Sequence, residues 1–190
     1  MNLDSNITLI VINGHPEAGK DTFVKMFAEV AGEDNVLNVS TIDYVKSIAI
    51  KCGWDGSKTP ENRKFLSDLK DVLSQWGDVP YKQVMSSIDY WLAARSVRMT
   101  HNLGADYMWK APRGFIFIHC REPEEIKKFV ERNDAITVFV KRPGNNQEIY
   151  NNHADANVEK YLYDYIINNN GTLEALSELA KDFYNLLTQI

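Results

Sequence analysis

Near the amino terminus, Gly14-His15-Pro16-Glu17-Ala18-Gly19-Lys20 fits the pattern G-x-x-x-x-G-K, a spacing that suits the binding of a triphosphate. The glycines allow the backbone to wrap with its N–H groups turned inward. The start of the following helix adds partial positive charge, and Lys20 can reach the outer phosphates. The product is a triphosphate cradle, formed by the backbone of Gly14, Ala18 and Gly19 and by Lys20. The competing reading is an Asn13-Gly14 turn followed by a helix with a surface lysine. His15 and Glu17 are expected at the loop surface.

After Lys20 the usual Ser or Thr is replaced by Asp21, with Thr22 next. A carboxylate there could bind Mg2+ directly or through water, but it also sets negative charge beside phosphates, which the ion would have to offset. Alternatively, Asp21 serves the helix N-terminus electrostatically. Thr22 is placed to donate to an inner phosphate.

If phosphate is transferred, cations are needed at the donor phosphates, at the acceptor's own phosphate if it has one, and around the moving group. Lys20 supplies the first. Lys46, and Arg63 with Lys64 at the head of an amphipathic helix, are candidates for the second, against a solvated helix face. Arg95 and Arg98 are weaker candidates. Arg121 follows an apolar strand at its carboxyl end, where open α/β sheets place ligands; the alternative is an ion pair with Glu122 or Glu125. Arg142 ends another strand and joins Arg121 and Lys20 as a candidate catalytic cation. It precedes a polar segment, about 142–158, that is either a lid over the donor or an inert loop. His101, His119 and His153 lack metal-ligand spacing and read as structural or surface histidines.

The elements that must carry these residues alternate. Ile7 to Ile12 is rich in β-branched residues and reads as a strand, and Phe23, Val24, Met26, Phe27 and Val30 then show helical spacing. Val36 to Ser40 reads as a second strand, followed by a helix over Thr41 to Lys51. Phe65, Leu66, Leu69, Val72, Leu73 and Trp76 form one stripe of a helix over Glu61 to Trp76. A further helix is expected from Tyr81 to about Arg98, then a loop over Gly104 to Arg113. Gly114 to Cys120 is nearly all apolar and belongs in the sheet interior, buried on both faces, with a helix starting near Pro123. Ala135 to Lys141 and Tyr163 to Ile167 complete the strands. Leu173, Leu176, Leu179, Phe183, Leu186 and Leu187 stripe a terminal helix. This order implies one domain over 1–190. Its fold class is α/β in three layers, a parallel sheet of about five strands covered by helices, with a helical insertion at about 41–113.

With 190 residues and 44% hydrophobic residues the chain can bury a sizeable core. A net charge of −5 gives no general basic field for a nucleic-acid polymer or an anionic membrane, so a bound anion needs a local site. Leu9 to Ile12 is far short of a bilayer span or a secretory core, and no basic leader precedes it. A soluble, cytoplasmic protein is expected. Cys52 and Cys120 have neither disulfide-framework nor zinc spacing and read as small buried apolar residues.

Gly19-Lys20-Asp21-Thr22 resembles the G-K-D-T loop of the deoxynucleoside monophosphate kinases and the related animal-type phosphomevalonate kinases, within the nucleoside monophosphate kinase fold. Arg121-Glu122-Pro123-Glu124-Glu125 is similar to that group's R-x-P-x-E segment, and Asp164 to Gly171 to its D-x-x-I-x-N-x-G segment. The resemblance implies a P-loop kinase with Mg2+ and ATP, small nucleotide substrates, and an acceptor side near Ser40 and Lys46. It also sets Asn169 and Gly171 beside the adenine, whereas a cap at the start of the terminal helix is the competing role. Two departures stand out. His119 occupies the place of a common Asp, and His153-Ala154-Asp155 matches the group's H-x-S-E-like segment only in part.

Phosphoryl transfer to a (deoxy)nucleoside monophosphate is therefore the first expectation, and another phosphomonoester such as phosphomevalonate the second. From a different class, the chain could be a catalytically degenerate ATP-binding module. A GTPase or transporter ATPase is disfavoured, because D-x-x-G, N-K-x-D and L-S-G-G-Q are all absent.

Overall fold

Five strands form one sheet with every pairing parallel: β1 (Ile7–Asn13), β2 (Val36–Ser40), β3 (Gly114–His119), β4 (Ile136–Lys141) and β5 (Tyr165–Asn168), in the order β2-β3-β1-β4-β5. The computed structural model describes residues 6–103, 111–144, 159 and 161–189. Within these the helices are α1 (Lys20–Ala31), α2 (Asp43–Lys51), α3 (Pro60–Gly77), α4 (Val79–Leu103), α5 (Pro123–Asn133) and α6 (Leu173–Thr188). The three-layer α/β arrangement is thus present, with the glycine-bearing loop Gly14 to Gly19 between β1 and α1.

Alternation along β1 sorts the core into two layers. Ile10 and Ile12 pack with Phe23 and Phe27 of α1 and Leu176, Ala180 and Phe183 of α6. Leu9 and Val11 pack on the other face with Val84 and Ile88 of α4 and Ile126 and Phe129 of α5. β3 is interior as expected, and its residues Phe115 to Ile118 are buried on both faces; the middle strand is β1.

The strand ends align. Ile12 lies level with His119, His119 with Ser40, and Lys141 with Asn168. The residues leaving those carboxyl ends therefore emerge along one edge, where sheets of this kind take ligands.

Several expectations change. α3 forms, started by Thr59, whose hydroxyl accepts from the Asn62 N–H, but its apolar stripe does not become core. α3 packs on α2 and α4 rather than on the sheet, so Phe65, Val72 and Trp76 are exposed, Trp76 by 84%. α4 starts at Val79, directly after Asp78 ends α3 in a left-handed conformation, and Pro80 suits a first helical turn. The last strand starts at Tyr165, where the preceding Asp164 carboxylate, not a backbone carbonyl, accepts from the Thr137 N–H. Cys120 is buried, but Cys52 is exposed because it closes α2 at the surface. The expected lid and His153-Ala154-Asp155 lie outside the described residues beyond Gly144, as does most of the loop over Gly104 to Arg113.

Candidate active site

The loop is shaped by two glycines that tolerate no side chain. Gly14 has φ 147°, and a Cβ there would collide with the Val140 carbonyl oxygen. Gly19 has φ 96°, and its Cβ would lie 2.6 Å from Asn169 Nδ2. Both clashes follow from neighbouring strands and α6 pressing on the loop, which only glycine permits. Gly19 sits at the N-terminus of α1, and no side chain caps that helix. A helix start of this kind is a place where backbone N–H groups can meet an anion.

Lys20 Nζ donates to the Gly14 and His15 carbonyls, each at 2.7 Å, which draws the ammonium back against the loop. Asp21 projects from the first turn of α1 with its side chain 90% exposed, and its Oδ1 lies 3.5 Å from His119 Nε2. Thr22 is half-buried behind it. His15 is not a surface residue. It is buried, bonds Glu159 through Nε2 at 2.9 Å and meets Phe139 edge-on, so Phe139 of β4 and Glu159 cover that side of the loop.

Two asparagines brace the loop. Asn13 Oδ1 accepts from the Gly14 N–H at 2.8 Å, and its Nδ2 donates to the Arg121 carbonyl at 3.3 Å and to the Tyr163 hydroxyl at 2.7 Å. Burial, above all, raises the Tyr163 phenol far above its ordinary value, so it stays neutral. One fully buried amide therefore joins the loop to two distant segments, through partners 108 and 150 positions away in sequence. In the sequence Asn13 reads only as half of an Asn-Gly turn. Asn169 Nδ2 donates to the Ala18 carbonyl at 2.9 Å, and its own N–H to Lys141. The helix cap expected of Asn169 belongs instead to Thr172, whose hydroxyl accepts from the Ala175 N–H.

The remaining candidates divide. Arg121 is half-buried at the end of β3, and Arg142 is exposed just after β4; both leave the edge that carries the loop. Glu125, an alternative partner for Arg121, pairs with Lys70 of α3 at 2.6 Å, with both side chains largely buried. Burial works against the charge on Lys70, but Glu125, Cys120 and Glu122 outweigh it and raise its pKa above 10.5. Ser40 is spent locally: its hydroxyl donates to the His119 carbonyl, and its N–H donates to Asp43. Lys46 is exposed on α2. Arg63 bonds the Lys58 carbonyl and Lys64 pairs with Asp68 one turn on, as a solvated face does. Arg95 and Arg98 lie at the opposite, amino end of the sheet, bonded to the Pro112 carbonyl and to Asp34, and so are removed from the acceptor candidates.

Among the described residues no group of three or more His, Cys, Asp or Glu side chains could hold a metal ion. Magnesium needs no such cage, since it keeps several waters and uses substrate phosphates beside one or two protein oxygens. The exposed Asp21 carboxylate fits that demand. No helix among the described residues is long and apolar enough to cross a membrane.

No family model matches this chain, and no curated protein matches it. A structure of shikimate kinase from Acinetobacter baumannii in complex with shikimate is similar over 96% of this chain and 94% of that one, at 14% sequence identity and a TM-score of 0.44.

Proposed function

We propose that the protein transfers the terminal phosphate of ATP to a small phosphorylated acceptor, with a (deoxy)nucleoside monophosphate as the favoured substrate. The observation that carries this reading is the uncapped N-terminus of α1 opening from a glycine-shaped loop with Lys20 drawn over it. The adjoining strand ends supply Arg121 and Arg142. A cleft of about 440 Å³ lies beside the loop, lined by Asn169, Gly171, Leu176, Leu179 and Asp182 among others. It supports a seat for the nucleobase next to Asn169.

In this reading the α1 N–H groups and Lys20 hold the donor phosphates. Thr22 would donate to an inner phosphate, and Asp21 would hold magnesium, which supplies charge neutralisation along the phosphate chain when bound. Arg121 and Arg142 face the charge that spreads over the transferring group, where positioning and fixed cations provide most of the catalysis. The acceptor is assigned to the side of Ser40, Lys46, Arg63 and Lys64, the last two reaching it only if they exchange their present partners.

The test is ADP release across a panel of ribo- and deoxynucleoside monophosphates and phosphomevalonate. Turnover with one nucleotide supports the reading, and turnover with phosphomevalonate alone moves the acceptor class. The placement of His119 where a carboxylate would be more usual favours a second reading, an ATP-binding module without turnover. ATP binding with no ADP release across the whole panel would select it.

A further inference from the structure

His119 ends β3 beside the phosphate loop, and its backbone is pinned. Its carbonyl accepts from the Thr41 N–H at 3.1 Å and from the Ser40 hydroxyl at 3.3 Å. The imidazole is only 15% exposed. Its Nε2 is shielded from solvent and bonds to no group among the described residues. An imidazole nitrogen that carries its hydrogen is a hydrogen-bond donor, and Nε2 is placed to be one.

A desolvated donor without an acceptor is costly, and one acceptor stands close. Asp21 Oδ1 is 3.5 Å from Nε2 on a side chain that is otherwise 90% exposed, so a small rotation of the carboxylate closes the hydrogen bond. Asp43, the other nearby acid, already accepts from the Ser40 N–H at 2.9 Å. We propose that His119 is a positioning residue: it donates from Nε2 to Asp21 and aims that carboxylate at the magnesium ion that would accompany a bound nucleotide.

This inference rests on the phosphate-loop reading above. An exposed carboxylate on a helix turn samples several rotamers, each pointing elsewhere. Engaging one oxygen with a buried ring fixes the rotamer and leaves the other oxygen available to an ion. Hydrogen-bond partners of metal-binding side chains are commonly worth 10- to 100-fold in metal affinity.

The experiment measures ADP affinity calorimetrically, with Mg2+ and with EDTA, for the wild type, His119→Leu, His119→Gln and Asp21→Asn. The quantity read is the gain in affinity that magnesium confers. His119→Leu should cut that gain about 10-fold while leaving metal-free ADP affinity unchanged. His119→Gln places an amide donor near the position of Nε2 and should keep most of the gain. His119→Leu added to Asp21→Asn should cost nothing further. The inference is overturned if His119→Leu keeps the full gain, if it weakens ADP equally with and without magnesium, or if wild-type ADP affinity ignores magnesium. Should His119→Leu fail to fold, a folded His119→Gln that loses as much as Asp21→Asn overturns it equally. A wild type that binds no ADP at all refutes the phosphate-loop reading itself, and this inference with it.

Discussion

Replacing Asn169 with Ala separates two roles for a residue that lies against both the loop before α1 and the neighbouring cleft. The amide is buried, with the residue 6% exposed, and it donates to the Ala18 carbonyl at 2.9 Å. Removing it leaves that carbonyl without the Asn169 donor in a site closed to water, at a cost of about 1 to 3 kcal/mol. For a chain of this size that corresponds to a fall in Tm of roughly 2 to 12 °C. The loop loses its brace, so affinity should fall alike for ATP, GTP and pyrophosphate, which share only phosphates. A double-mutant cycle sharpens the test. In Gly19→Ala the new Cβ meets Asn169 Nδ2 at 2.6 Å, so removing the amide should relieve that clash and make Gly19→Ala less damaging by about 1 kcal/mol. The positive φ of 96° remains a penalty for Ala in both backgrounds. Urea unfolding gives the stabilities and calorimetry the affinities. An unchanged Tm with a loss confined to one nucleobase would refute the bracing role and return Asn169 to base recognition.

Lys20→Ala should stay folded and lose about 2 to 4 kcal/mol of transition-state stabilisation, read as kcat/KM; full activity in a folded variant removes the phosphate-loop assignment. Arg142→Ala should lower kcat more than it weakens ATP binding, whereas Arg121→Ala should act mainly on acceptor use; a normal kcat with only the ATP KM raised excludes Arg142 from the catalytic set. Lys70→Met leaves Glu125 buried without its 2.6 Å partner and should cost about 3 kcal/mol in unfolding free energy. Because the pKa of Lys70 is raised above 10.5 by folding, its stabilisation is complete below that pH and fades as pH climbs through the higher folded value; Lys70→Met should remove that alkaline loss, and an unchanged slope above pH 10.5 would show the pair is not coupled to folding. Trp76→Lys, at 84% exposure, should change stability by no more than about 0.5 kcal/mol, and a large loss would mean that the α3 stripe is covered.

Periodicity and local chemistry, which need no distant partner, were readable along the chain. The strand rich in β-branched residues before Asn13-Gly14, the helix after Lys20 and the apolar run Phe115 to Ile118 each state their own environment, and the alternation of strands with helices implies a parallel sheet. The loop shaped by Gly14 and Gly19 was legible for the same reason, since a glycine-bearing turn between a strand and a helix is a contiguous piece of backbone. The spacing identified α3 as a helix, but a stripe of six apolar residues tells that a helix has an apolar face and not whether anything packs on it. Tertiary structure alone decided the rest. Asn13 and Asn169 became braces because strands brought Tyr163, Arg121 and Ala18 to them. Lys70 found Glu125 across 55 positions, and His119 came to face Asp21 because β3 lies next to β1 in the sheet. The short polar side chains among these reach only a few ångströms, so their roles depend on the register and strand order that bring partners within range, which no local spacing records.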